Sequence, residues 1–156
     1  MKIRVLSIGK TSTPFIKEGV AFYLKRLEHY CRLEYVELPD VPQKGLTTAA
    51  GKIKEAELIL KNLKPEDVLV LLDEKGTEYT SRGFANFLQK KMNAGTRSLV
   101  FVVGGAFGFS KELYAKADNT LSFSQMTFPH ELIRLFVAEQ LYRAHTILKG
   151  ENYHHD

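Results

Sequence analysis

The chain has 156 residues, 44% of them hydrophobic and 26% charged, a size and balance that fit one α/β domain with a sizeable core. A net charge of +4 is mild, permitting a polyanionic partner without demanding one. No apolar run approaches the roughly 18 residues of a membrane span, MKIRVLSIGK is too briefly apolar for a signal peptide, and the single Cys31 excludes an internal disulfide and suits a reducing, cytoplasmic setting.

Lys2 to Ile8 is a short β-rich run, broken by Gly9-Lys10-Thr11-Ser12-Thr13-Pro14. Gly9-Lys10-Thr11 matches the end of a phosphate-binding loop. That motif needs another glycine where Arg4 stands, so it is rejected. Phe15 to Tyr30 has apolar residues at helical spacing, among them Ile16, Val20, Tyr23 and Leu27. Leu33 to Leu38 predicts a strand ended by Pro39-Asp40-Val41-Pro42, and Thr47 or Thr48 can cap a helix reaching about Leu63. Asp67 to Leu72 is a continuous apolar run, as in a central parallel strand covered on both faces, and Asp73-Glu74-Lys75-Gly76 reads as a turn. Thr80 or Ser81 opens a helix with Phe84, Phe87, Leu88 and Met92 inward, ending near Asn93-Ala94-Gly95. Ser98 to Val103 is a second buried strand and runs into Gly104-Gly105-Ala106-Phe107-Gly108. Ser110 can cap a short helix to Ala117, and Leu121-Ser122-Phe123 is the last strand. Strands and helices alternate without repeat or linker. The expected fold is therefore α/β, a mostly parallel sheet with helices on both faces, in a single domain over 1–156.

A long helix follows from Pro129 to Leu148, because proline is tolerated in a first turn. At 100° per residue, His130, Arg134, Val137, Leu141, His145 and Leu148 share one face, with Glu139, Arg143 and Thr146 roughly opposite. No face is wholly polar. Such a helix is expected to pack on its own core on one side and on a second protomer on the other, with His130 and Arg134 at a solvent-facing start. A core helix of a monomer fits the same pattern.

In open α/β sheets ligands bind beyond the carboxyl ends of strands, and three such ends stand out: Leu72-Asp73, Gly104-Gly105, and Phe123 to Phe128. Paired glycines after a buried strand allow close backbone approach, though a tight strand-to-helix turn needs them equally. Gly104-Gly105-x-x-Gly108 lacks the dinucleotide-binding spacing, which disfavours a nucleotide-dependent oxidoreductase. Phe123-Ser124-Gln125-Met126-Thr127-Phe128 is unusually apolar for a solvated connection. It suits a pocket for a flat, apolar ligand, or equally burial under the long helix or at a dimer contact. The five histidines show no metal-ligand spacing, so no metal is expected. There is no GxSxG, and Cys31 reads as a buried structural thiol.

FVVGGAFGF (Phe101 to Phe109), LSFSQMTFPHELIR (Leu121 to Arg134), AEQLYRA (Ala138 to Ala144) and Asn152-Tyr153-His154 together resemble the RlmH family. MKIRVLSIGK and LLDEKG (Leu71 to Gly76) do so as well, and the resemblance spans essentially the whole chain. Phe107 departs from it, since relatives commonly carry a small or polar residue there. The family consists of small bacterial SPOUT methyltransferases acting on N3 of a pseudouridine in large-subunit ribosomal RNA. The resemblance implies a deep trefoil knot, with the C-terminal helix threading the loops after Leu72, Val103 and Phe123. It also implies a homodimer that binds S-adenosyl-L-methionine in the knotted loops.

By that resemblance the donor positions are Leu72, Gly104, Phe123, Ser124, Gln125, Met126, Thr127 and Phe128, with Asp73 and Gly105 as neighbours. The acceptor nitrogen lies between two carbonyls and must lose a proton, which calls for a base or a nearby cation. His130, Arg134, Arg143, Tyr153 and His154 are the catalytic candidates. Dispersed lysines and arginines are adequate for the phosphates of ribosomal RNA, whose accessible loop base is the target. A non-catalytic, ribosome-associated RNA-binding protein of the same fold is the competing expectation.

Overall fold

The computed structural model describes residues 1–155, so Asp156 of the expected tail lies outside the described residues. In chain order the elements are β1 (Lys2–Ile8), α1 (Pro14–Leu27), β2 (Arg32–Leu38), α2 (Thr48–Lys61), β3 (Asp67–Glu78), α3 (Ser81–Asn93), β4 (Ser98–Val103), α4 (Lys111–Lys116), β5 (Asn119–Ser122) and α5 (His130–Leu148). Hydroxyl caps begin three of the helices: Thr47, Thr80 and Ser110 each accept a backbone N–H three residues on, a contribution of about 1 kcal/mol each.

The five strands form one parallel sheet in the order β2-β1-β4-β3-β5. Alternation along each strand feeds two cores. Ile3, Val5, Val70, Leu72, Leu99 and Phe101 face α1, α3 and α5, where they meet Leu27, Phe84, Leu88, Val137 and Leu141. Leu6, Ile8, Leu69, Leu71, Val100 and Val102 face α2 and α4, where they meet Ala56, Ile59 and Leu113. Helices thus cover both faces, and β4 is buried at every position, as its unbroken apolar run requires.

Two expectations are corrected. Asp73 to Gly76 does not end a strand. β3 bulges there and resumes, so that Leu72 and Thr77 both register with Leu121 and Glu78 with Ser122. The bulge needs glycine at 76, because a Cβ there would lie 2.6 Å from the Leu121 backbone nitrogen. The second correction concerns α5. The face bearing Arg134, Val137, Leu141 and His145 is turned into this protomer's own core. Arg134 is 0% exposed, donating to the Ile8 carbonyl (2.6 Å) and the Thr11 hydroxyl (2.9 Å), with Glu37 at 3.4 Å. It is not solvent-facing. Thr146, placed opposite that face by pattern, is also fully buried, its hydroxyl donating to the Arg143 carbonyl. A charge at Val137 or Leu141 therefore probes the core, not an interface.

Two groups make stability fall with acidity. His145 is buried, with Nδ1 2.8 Å from the Leu141 carbonyl, and burial pulls its pKa below 6.5. The unfolded chain takes up that proton first, so this contribution is complete above about pH 6.5 and is lost as pH falls below it. Glu131 accepts the Ser12 N–H (2.9 Å), the Ser12 hydroxyl (2.7 Å) and the Thr13 N–H (3.0 Å). Those bonds, the Ser12 backbone first, bring its pKa from 4.5 to about 2. Its contribution is present above 4.5 and lost as pH falls toward 2. Thermal midpoints measured across pH are expected to decline in two stages. His145→Gln flattens the upper one and Glu131→Gln the lower; an unchanged profile in either variant refutes its assignment.

Candidate active site

β4, β3 and β5 are neighbours in the sheet, so the β3 bulge and the loops leaving the carboxyl ends of β4 and β5 lie side by side. They enclose a cavity of about 420 Å³ lined by Leu72 to Lys75, Val103 to Phe109, Leu121, Phe123, Ser124, Met126 to Phe128, His130 and Ile133. Two hydrogen bonds tie the walls together. The Tyr114 hydroxyl donates to Asp73, and the Thr127 hydroxyl donates to Glu74 at 2.7 Å. The Asp73 carboxylate also accepts the Lys75 N–H at 2.8 Å, which holds the bulge in shape. Ser122 caps the next loop, its hydroxyl donating to the Ser124 carbonyl (2.8 Å) and accepting the Ser124 N–H (3.1 Å).

Of the expected donor positions, Leu72, Asp73, Gly104, Gly105, Phe123, Ser124, Met126, Thr127 and Phe128 come together around this cavity. Gln125 does not: it is exposed, with its amide 3.5 Å from Glu78 on the far side of the loop. Lys52 and Tyr114 also line the cavity. Neither carries a local motif, and Lys52 comes from α2 across the sheet.

The glycines are packed closely against their own support. A Cβ on Gly104 would meet the Phe109 ring at 2.9 to 3.3 Å, and one on Gly105 would meet the Glu55 carboxylate at 2.5 and 2.8 Å. What they permit is close packing of the loop on its own support, not only approach of a ligand. Gly104→Ala is expected to weaken donor binding about tenfold by displacing the loop, and Phe109→Leu in the same chain to restore most of it. Calorimetric titration of the three variants decides; failure of the double variant returns the cause to ligand contact.

The catalytic candidates divide. His130, first residue of α5, lines the cavity, whereas Arg134 sits in the core as a clamp on β1. Arg143 on α5 forms a separate cluster with Tyr153 and His154 of the tail that follows it. Gly150, at φ +69°, ends the helix with the Glu151 N–H on the Thr146 carbonyl and its own N–H on that of Ile147, a left-handed stop that turns the tail back. The Tyr153 ring then packs edge-on to Tyr142 (4.7 Å) under the Arg143 guanidinium (4.7 Å). The Tyr153 hydroxyl donates to Glu139 (3.0 Å), Arg143 pairs with Glu139, and His154 Nδ1 is 3.4 Å from Arg143. Arg143 and Glu139 line a second cavity of about 530 Å³ with Tyr23, Phe136 and Phe123, and Phe123 lines both cavities.

Burial, then the Tyr23 hydroxyl and Glu139, pushes the Tyr153 phenol well above its usual range, so it remains a proton donor. Glu139 raises the Arg143 pKa and keeps the guanidinium charged. Burial pushes the Cys31 thiol up to about 11, too high for a nucleophile. Among the described residues no group of three or more His, Cys, Asp or Glu is placed to hold a metal ion. Nor is any helix among them long and apolar enough to cross a membrane.

Comparison with known proteins agrees with this fold. A probable methyltransferase from Bordetella pertussis Tohama I matches the fold with a TM-score of 0.55 at 13% identity, over 91% of this chain and 93% of that one. A probable methylase family protein from Haemophilus influenzae Rd KW20 does so with 0.53 at 15%, over 99% and 70%. In sequence the chain is 50% identical to the Ribosomal RNA large subunit methyltransferase H of Parabacteroides distasonis, over the whole of both chains. It is 48% identical to that of Cytophaga hutchinsonii, over 99% of this chain and all of the other. The family model described as "Predicted SPOUT methyltransferase" matches residues 1–154. With its strand-end loops gathered at one cavity and its likeness unbroken from end to end, the chain belongs to the SPOUT methyltransferase family.

Proposed function

We propose that the protein transfers a methyl group from S-adenosylmethionine to N3 of a pseudouridine in large-subunit ribosomal RNA, working on the ribosome in the cytoplasm as a homodimer of one-domain chains. The observation that carries this reading is the meeting of the β3 bulge and the loops after β4 and β5 at one 420 Å³ cavity, a size suited to a small-molecule ligand. The names of its relatives supply the acceptor.

The lining suits the donor. Leu72, Phe123, Phe128 and Ile133 offer apolar surface to a flat base, the backbone of Gly104 to Gly108 offers N–H and C=O groups to its edges, and Asp73 and Glu74 bring negative charge for a cationic centre. When bound, S-adenosylmethionine supplies a sulfonium methyl for in-line displacement, so positioning provides most of the rate. His130 is the imidazole in this cavity, the group placed to hold the proton lost from N3. Arg143, charged, and Tyr153, protonated, fit stabilisation of the acceptor anion. Within one protomer Arg143 lines a different cavity, with the Tyr153 ring beneath its guanidinium. A partner whose α5 packs against this one, over the half-buried Leu135 and Phe136, brings its own tail to this donor cavity and makes a composite site. Membership of the SPOUT methyltransferase family supports a trefoil knot in the C-terminal part of the chain.

Incubating purified ribosomes with labelled S-adenosylmethionine is expected to put label on a single pseudouridine, and the native protein to sediment as a dimer at micromolar concentration. Donor binding without label on RNA refutes the acceptor assignment, and a monomer refutes the composite site. No donor binding at all favours a non-catalytic ribosome-associated protein.

A further inference from the structure

Glu55 is the one acid of α2 that points inward. It is 7% exposed, on the sheet face opposite α5, directly beneath the loop that follows β4. Its carboxylate packs against the Gly105 backbone, where a Cβ built on Gly105 would fall 2.5 and 2.8 Å from its two oxygens, and the Gly105 N–H favours its charged form against the effect of burial. The Gln43 amide, which donates to the Val41 carbonyl at 3.0 Å, lies 3.5 Å from one of those oxygens. The nearest charge acting on it is Asp40, of like sign, and burial and Asp40 together push its pKa up. A buried acid held by neutral donors near a second acid costs stability. The fold alone gives no reason to keep it.

The loop above it gives one. Gly104 to Gly108 has no regular structure, and its own backbone supplies the single weak bond from the Gly108 N–H to the Gly105 carbonyl, at 3.3 Å. Ala106 and Phe107 at its tip are exposed, so nothing above holds it. Its shape depends on what lies below: the Phe109 ring under Gly104 and the Glu55 carboxylate under Gly105. We propose that Glu55 is a positioning residue for methyl transfer, its carboxylate fixing the Gly105 amide and with it the backbone wall that receives the donor. This rests on reading the 420 Å³ cavity as the donor site. Glu55 does not itself line that cavity, so its effect passes through Gly105.

Two variants of the full-length protein test the role. Glu55→Gln keeps the shape and an oxygen able to accept the Gly105 N–H; Glu55→Leu keeps the bulk and removes the acceptor. With S-adenosylmethionine as titrant, Glu55→Leu is expected to raise the calorimetric Kd about tenfold or more, the scale of one charge-assisted hydrogen bond. Glu55→Gln is expected to stay within about threefold of wild type. The thermal midpoint of Glu55→Leu should be unchanged or higher, since an apolar side chain there removes a buried acid. With ribosomes, the loss should appear in KM for the donor and not in KM for the ribosome. A merely structural role predicts the opposite pairing, a lower midpoint and equal damage to both KM values. Wild-type-like donor binding by Glu55→Leu, or no rescue by Glu55→Gln, overturns the proposal. Wild-type protein that binds no donor overturns the donor site itself, a failure distinct from the other two.

Discussion

Deleting Tyr153 to Asp156 is expected to leave calorimetric affinity for S-adenosylmethionine nearly unchanged, while methylation of ribosomes falls by about two orders of magnitude or more. The separation follows from geometry. Tyr153 and His154 meet Glu139, Arg143 and Tyr142, and neither lines the 420 Å³ cavity. Removing them costs some packing, about 1 kcal/mol for the edge-on pair with Tyr142, which thermal denaturation will register as a small loss. Mixing tail-deleted protomers with Gly104→Val protomers then asks where the tail works. A heterodimer holds one intact donor cavity and one intact tail on different chains, so a tail acting in trans restores one working site. Full activity of the truncated protein removes the tail from catalysis, and failure to complement places it in cis.

Gly76→Ala is expected to cost about 3 kcal/mol and to abolish donor binding. An added Cβ would lie 2.6 to 2.8 Å from the backbone of Leu121 and Thr120, which cannot yield without breaking the pairing of β3 with β5. The same bulge carries Asp73 and Glu74, the two acids tied to Tyr114 and Thr127 across the cavity. Urea denaturation and donor titration should therefore fail together. A variant within about 0.5 kcal/mol of wild type refutes the idea that the bulge requires close backbone contact.

Much of the fold was legible because its signals are local. Hydroxyl caps at Thr47, Thr80 and Ser110 and unbroken apolar runs at Asp67 to Leu72 and Ser98 to Val103 place helices and strands without any long-range knowledge. The three segments that line the cavity could be chosen from the sequence for the same reason, since a buried apolar run followed by glycine, a turn or an apolar loop is a local pattern, although the first of them is a bulge within β3 and not a strand end. Gly150 likewise announces where α5 stops.

What only the tertiary structure decided depends on partners far away in the chain. Arg134 stands where a solvent-facing helix start is expected, although it shares a face with Val137 and Leu141, and its burial rests on a carbonyl 126 positions earlier. The turn at Asp73 to Gly76 proved to be a bulge because Leu121 pairs on both sides of it. The glycines after β4 look alike in sequence, yet one rests on an aromatic ring and the other on the carboxylate of a residue from a helix on that side of the sheet. Local propensity and periodicity specify which residues turn inward. Which of them meet is set by the sheet order, because neighbouring strands bring together loops that lie dozens of residues apart.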